Sequence, residues 1–259
     1  MSYQCVVNFS GGVCSFMAAI RAVERFGKAH VVLLFADTGE EDADLYRIVS
    51  DCVRHIGCDI VTVKNPLGMD GIIDSHRAIP NNRMAFCTQE LKQEICDAWL
   101  SANAPNAVRV FGFDWTEGGR IARIVARLSP IPVWMPMADA PYLMKNVMLD
   151  RVRELGIEPP RLYGMGFQHN NCGGGCVKAG QAAWALTLEK TPDVYAKWEA
   201  REQRVSDLRG KPCSILRDRR GGVTTPLLLS EFRNRVEQRS FDQLDWGSCS
   251  CFSGGESNE

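Results

Sequence analysis

The chain has 259 residues and a net charge of −1, from 30 Lys and Arg against 31 Asp and Glu, so no global charge bias directs it to nucleic acid or a membrane surface. Hydrophobic residues make up 45% and charged residues 24%, a globular composition that excludes a mainly disordered chain. No apolar run reaches the roughly 20 residues of a membrane span. The opening MSYQCVVNFS lacks a secretory leader's charged-then-apolar layout, so a soluble, cytoplasmic protein is expected.

Short apolar runs alternate with helical spacing along the first half. Residues 4–9 predict a strand that ends at Ser-Gly-Gly, and residues 16–26 a helix. Residues 30–36 (HVVLLFA) predict a strand buried on both faces, followed by an acidic helix start and a helix to about His55. Residues 59–64 predict a third strand and 88–103 a helix. Residues 108–113 predict a fourth strand with a helix over 117–128, and 133–137 a fifth with a helix over 139–155. The order predicts an α/β fold with a doubly wound, parallel five-stranded sheet over residues 1–155. Beyond Gly156 the composition shifts: Pro159-Pro160 stops the helix, a Gly/Cys/Asn-rich loop spans 164–176, and helices follow over 181–189 and 192–208. Residues 199–239 hold 10 Lys and Arg against 6 Asp and Glu. Residues 156–259 are therefore expected to form a mainly helical, Cys-containing accessory region.

Ser10-Gly11-Gly12-Val13-Cys14-Ser15 joins the first strand to the first helix. Glycines admit close approach of an anion, the helix start offers unpaired N–H groups, and two serines add hydroxyl donors. The loop lacks the Gly-Lys-Ser/Thr ending of a Walker A motif. Of the eleven cysteines, Cys5, Cys52, Cys58 and Cys96 lie in apolar or helical stretches and are expected to be small core residues. Cys172 and Cys176 flank three glycines, and Cys249 and Cys251 form a second pair in the tail. Four thiolates could hold zinc or an iron–sulfur cluster, although C-x3-C and C-x-C are not zinc-finger spacings; four metal-free thiols are the alternative. The basic turn Arg217–Gly222 would be solvated or would contact a phosphate backbone.

Ser10–Ser15 resembles the SGGxDS loop of the PP-loop superfamily, the adenine nucleotide alpha hydrolases. In order along the chain, SGGVCSF, LLFADTGEEDADLYRIV, CTQELK, GFDWTEGGRIARI, GIEPPRLYGMGFQHNNCGGGCVKAG, SILRDRRGG and CSCF resemble the phosphoadenosine phosphosulfate (PAPS) reductase family, in its phage and mobile-element variants. The likeness covers nearly the whole chain and implies a Rossmann-like, HUP-type fold in the cytoplasm of a bacterial or phage-infected cell. One departure is Cys14, where the family loop often carries Asp.

The resemblance implies an adenine nucleotide, ATP or PAPS-like, bound with Mg2+ across Ser10, Gly11, Gly12, Val13, Cys14 and Ser15. It places Ala36, Asp37, Thr38 and Gly39 around the adenosine, where the residues alone would read as a strand-end turn with Thr38 or Asp42 capping the next helix. Lys92 is placed in the nucleotide pocket, against a solvated surface lysine otherwise. Glu117 and Arg120 match the family's Glu-x-x-Arg element, with Arg120 clamping a phosphate or sulfate; an intrahelical ion pair is the simpler reading. The resemblance puts [4Fe–4S] ahead of zinc at Cys172, Cys176, Cys249 and Cys251. The expected function is an ATP pyrophosphatase-type enzyme that adenylates a target for sulfur transfer. A sulfur donor (a cysteine desulfurase or a thioredoxin) is then a partner, with room for nucleic acid and a homo-oligomer. The alternatives are a PAPS or adenylylsulfate reductase releasing sulfite, and a non-catalytic nucleotide-binding regulator.

Overall fold

The computed structural model describes residues 3–220 and 222–238. The α/β layers form in chain order as β1 (Cys5–Asn8), α1 (Val13–Phe26), β2 (Val31–Ala36), α2 (Ala43–Ile56), β3 (Asp59–Val63), α3 (Gly68–His76), α4 (Phe86–Thr88), α5 (Glu94–Asn103), β4 (Val108–Phe111), α6 (Gly118–Leu128) and β5 (Val133–Trp134). The five parallel strands make one sheet in the order β3-β2-β1-β4-β5.

Neighbouring residues on the central strands go to opposite faces, which is why the runs are continuously apolar. Cys5 and Val7 of β1 and Leu33 and Phe35 of β2 pack with Phe16, Ala19, Ile48 and Cys52 of α1 and α2. Val6, Val32, Leu34 and Ala36 pack on the other side with Cys96 and Leu100 of α5. Cys5, Cys52, Cys58 and Cys96 are buried, as their sequence context requires. Burial pushes the Cys52 thiol up to about 12, so it behaves as an apolar group.

Three elements depart from expectation. The helix expected from residue 139 starts six residues later, as α7 (Lys145–Glu154), because Pro136 and Pro141 hold the intervening chain in a short 3-10 turn and a loop. The helix over 88–103 is interrupted by a π-helical turn at Gln89–Gln93. Residues 217–222 are not a simple turn: Leu216–Arg220 (β6) and Val223–Leu227 (β7) pair as an antiparallel hairpin.

The remaining helices are α8 (Arg161–Gly164), α9 (Gln181–Lys190), α10 (Pro192–Arg209) and α11 (Leu229–Glu237). Pro192 opens α10, where its missing N–H costs nothing, and Gly210 closes it with φ 61°. Trp184, Tyr195, Trp198 and Phe232 share one apolar cluster with Met69, Ile72 and Leu91 of the first half. No helix among the described residues is long and apolar enough to cross a membrane.

Candidate active site

The strand order reverses between β1 and β4, which opens a crevice at the carboxyl ends of the strands. A cavity of about 660 Å³ occupies it, reaching from Phe35 and Ala36 at the end of β2, past Ser10–Ser15, to Arg120 at the start of α6. Of the residues expected in the site, Ser10, Gly12, Cys14, Ser15, Ala36, Lys92, Glu117 and Arg120 line it, and Gly11, Val13, Asp37, Thr38 and Gly39 do not.

The start of α1 offers features that suit an anion. Gly12 is its N-cap and no side chain caps the helix, so the positive end of the helix dipole lies where Gly12, Cys14 and Ser15 line the cavity. Ser10 Oγ donates to Ser15 Oγ at 3.1 Å, and Ser15 Oγ donates to the Gly12 carbonyl at 2.8 Å. Gly11 has φ +71°, and a Cβ there would meet Leu45 Cδ1 at 2.5 Å. Gly112, just after β4, lies against the same turn: a Cβ on it would fall 2.6 Å from the Ser15 backbone nitrogen. Sequence reading passed over Gly112 because its constraint comes from a helix ninety-odd residues away. Cys14 faces the cavity among Lys145, Asp114, Glu117 and Arg120; burial pushes its thiol up to about 12, so it is no thiolate at neutral pH.

Next to β4, the Asp114 N–H donates to Glu117 Oε2 at 3.1 Å, and Asp114 Oδ1 accepts from the Thr116 N–H at 2.9 Å. This reciprocal cap fixes the turn Trp115–Glu117. Glu117 is also ion-paired with Arg120, as the simpler reading expects. That pair leaves part of the guanidinium over: Arg120 lies on the Phe113 ring, 4.4 Å from its centroid, and its buried Nε has no hydrogen-bond partner among the described residues. A buried guanidinium N–H left unmatched beside a cavity suits an anionic acceptor.

On the β2 side the organising residue is Glu41. Only 3% of its side chain is exposed, and it accepts from Lys92 Nζ at 3.2 Å, Thr38 Oγ1 at 3.0 Å and the Cys172 N–H at 2.7 Å. Lys92 is thus neither a solvated lysine nor aimed at bare cavity; it is 12% exposed, placed by the π-helical turn and anchored on Glu41. Sequence reading missed Glu41 because four acids crowd residues 37–42 and nothing local distinguishes them. Asp42 is the α2 cap, accepting from the Asp44 N–H at 2.9 Å, and Asp37 Oδ1 accepts from the Gly39 N–H at 2.9 Å.

The loop before Cys172 closes the cavity. Asn170 Nδ2 donates to the Gly11 carbonyl at 3.4 Å, and Lys145 Nζ, bonded to the Gln168 carbonyl, lies 4.6 Å from the Tyr163 ring centroid. Lys145 was hidden by the misplaced start of its helix. Cys172 has φ +50° and adjoins the cavity through Glu41; Cys176 is buried four residues on. The glycines between them have packing reasons of their own: a Cβ on Gly174 would meet Phe167 at 2.6 Å, and one on Gly175 would meet Val194 at 2.7 Å. Cys249 and Cys251 lie outside the described residues. Among the described residues no group of three or more His, Cys, Asp or Glu could hold a metal ion. Cys172 and Cys176 alone supply half of a four-thiolate set.

The fold is a doubly wound α/β sheet whose crevice presents an uncapped helix start and an under-satisfied arginine to one cavity. No protein-family model and no curated protein matches the chain. Among solved structures, an NH3-dependent NAD synthetase from Campylobacter jejuni, in complex with the nitrate ion, is similar over 93% of this chain and 87% of that chain, at 14% identity and a TM-score of 0.38. At that score the likeness assigns this chain no site and no activity.

Proposed function

We propose that this chain is a PP-loop ATP pyrophosphatase-type enzyme that adenylates an acceptor to activate it for sulfur transfer. The observation that carries the reading is the convergence of the uncapped start of α1 and the unpartnered Arg120 Nε on one cavity at the strand reversal. In this reading the adenine lies near Phe35 and Ala36, with Asp37, Thr38 and Gly39 behind it. The β and γ phosphates take the amides of Val13–Ser15 and the Ser10 and Ser15 hydroxyls. Arg120 takes the α-phosphate, and Lys92 adds charge from its anchor on Glu41.

An acceptor oxygen then attacks the α-phosphorus as the α–β bridge bond breaks, and pyrophosphate leaves against the helix start. A sulfur donor displaces AMP in a second step. Asp114 and Glu117, carboxylates that line the cavity on the β4 side, are the oxygen donors suited to Mg2+, which would screen phosphate charge. Two of the four thiolates, Cys249 and Cys251, lie outside the described residues, and no step is routed through a cluster. The reductase alternative needs a thiolate nucleophile; the buried Cys14 thiol, held up to about 12, does not supply one, and Cys249 and Cys251 lie outside the described residues.

Incubation with ATP, Mg2+ and total cellular acceptor, followed by product analysis, is expected to give AMP and pyrophosphate. ADP and orthophosphate alone would contradict the assignment. Sulfite release from PAPS in the presence of thioredoxin would replace it with the reductase.

A further inference from the structure

The cavity has a second wall, built by residues 145–171, which closes it over the start of α1. Lys145, Tyr163, Gln168, His169, Asn170 and Asn171 line that wall, and each can donate a hydrogen bond. Among the described residues the wall contributes no Asp or Glu to the lining. The three carboxylates that do line the cavity, Glu41, Asp114 and Glu117, come from the β2 and β4 sides. A wall of donors opposite a helix start suits a ligand whose negative charge extends over more than one group.

Tyr163 reaches the helix start directly. A Cβ built on Gly12 would lie 3.5 Å from Tyr163 Oη and 3.5 Å from Ser10 Oγ, so the two hydroxyls flank the N-cap of α1. The tyrosine ring packs on the core cluster that contains α1 and α7, and the Lys145 ammonium lies 4.6 Å from its centroid. Lys145 also donates to the Gln168 carbonyl, and its charge reaches the Cys14 thiol in the first turn of α1. Hydroxyl, ammonium and helix start thus border one volume.

Both residues are positioned from outside the sheet. Arg161, two residues before Tyr163, donates to both oxygens of Asp42, the α2 cap, at 2.8 and 2.7 Å, and its N–H donates to Asp44 Oδ2 at 2.9 Å. Arg47 of α2 holds the Glu158 carbonyl at 3.1 Å. α8 is therefore bolted to the helix that follows the β2 end of the cavity, which fixes where the tyrosine stands over Gly12. On the other side Arg21 of α1 donates to the carbonyls of Asp139 at 3.1 Å and Pro141 at 2.6 Å, and so pins the loop that leads into Lys145. Donors fixed before a ligand arrives lose little freedom when they bind it.

We infer that Tyr163 Oη and Lys145 Nζ bind the terminal two phosphates of the nucleotide across the cavity from the start of α1, and hold them as pyrophosphate leaves. This deepens the adenylation reading and rests on it for the identity of the ligand, so inorganic pyrophosphate serves as a probe that needs no nucleotide. Pyrophosphate, ATP and AMP, each with Mg2+, are titrated calorimetrically into wild type, Tyr163→Phe and Lys145→Met. Wild type is expected to bind pyrophosphate and ATP, and each variant to bind both about tenfold or more weakly. AMP, which lacks the two phosphates, is expected to bind all three proteins equally, an outcome that a merely structural role for either residue would not allow. Wild-type failure to bind pyrophosphate, either variant binding it as wild type does, or AMP affinity falling as far as that of ATP would overturn the assignment. Pyrophosphate binding that depends on both residues, without ATP binding, supports the assignment and sinks the adenylation reading alone. Conversion of ATP to AMP and pyrophosphate with one KM in all three proteins would do the reverse.

Discussion

Gly11, Gly12 and Gly112 surround the start of α1 under different constraints. Gly11 is held by its positive φ and Gly112 by contact with the backbone of Ser15, whereas a Cβ on Gly12 would find Ser10 Oγ and Tyr163 Oη at an ordinary 3.5 Å. Gly12→Ala is therefore expected to stay within about 1 kcal/mol of wild-type stability, while ATP affinity drops at least tenfold as the methyl group intrudes where phosphate must approach. Gly112→Ala is expected to lose about 3 kcal/mol, since backbone cannot move aside as a side-chain tip can. Urea midpoints and ATP titration of the two variants check this, and a Gly12→Ala protein with undiminished ATP affinity would remove the phosphate from α1. The strand-to-helix turn at Ser10–Ser15 was legible because its marks lie in six consecutive residues. Gly112, Glu41 and Lys145 were not, since each takes its meaning from partners distant in the sequence.

The β6–β7 hairpin hangs on a single carboxylate of α10. Glu202 is buried and accepts from the Ile215 N–H at 2.7 Å and the Leu229 N–H at 2.6 Å, just outside the two ends of the hairpin. Loss of solvation outweighs the two amide bonds and pushes its carboxyl up to about 7 from 4.5. With the folded-state value raised, Glu202's contribution is fully present below pH 4.5 and is lost as the pH rises through about 7. Wild-type thermal stability is expected to carry a component that falls across that window. Glu202→Gln is expected to abolish that component, even though it forfeits one amide bond and lowers stability overall. Melting curves from pH 4.5 to 8 decide it, and an unchanged slope in the variant would show the carboxyl titrating elsewhere. The hairpin escaped the sequence reading because LRDRR and VTTPL lack the apolar alternation of a half-buried strand; β7 is exposed over residues 223–226.

Across the whole molecule, Arg201 of α10 ties the C-terminal helices to the sheet edge. Its guanidinium takes both oxygens of Glu40, at 2.9 and 2.8 Å, and both of Asp70, at 2.9 and 2.7 Å, while its flank covers the Trp198 ring. Glu40 precedes the Glu41 that anchors Lys92 and Cys172, so the tether reaches the cavity wall within one residue. Arg201→Ala would leave Glu40 to Lys197 and Asp70 to Arg204, and the lost charged hydrogen bonds and packing on Trp198 are expected to cost about 2 kcal/mol. It should also weaken ATP binding through the loosened 37–42 segment. Denaturant midpoints with and without ATP test both effects, and a variant of normal stability would show the contact to be incidental.

The sheet and the Gly-Gly turn that opens α1 were determined by the sequence alone, for one physical reason. A parallel strand covered on both faces must be apolar throughout, and a tight strand-to-helix turn must be small and turn-forming, so both leave local marks. HVVLLFA and SGGVCS carry those marks without help from any distant residue. The tertiary structure alone decided that Lys92 is anchored by Glu41, that Gly112 must lack a side chain, and that Tyr163 faces Gly12. Each is a meeting of segments tens of residues apart, and the energy of such a contact belongs to the pair, so neither sequence neighbourhood records it.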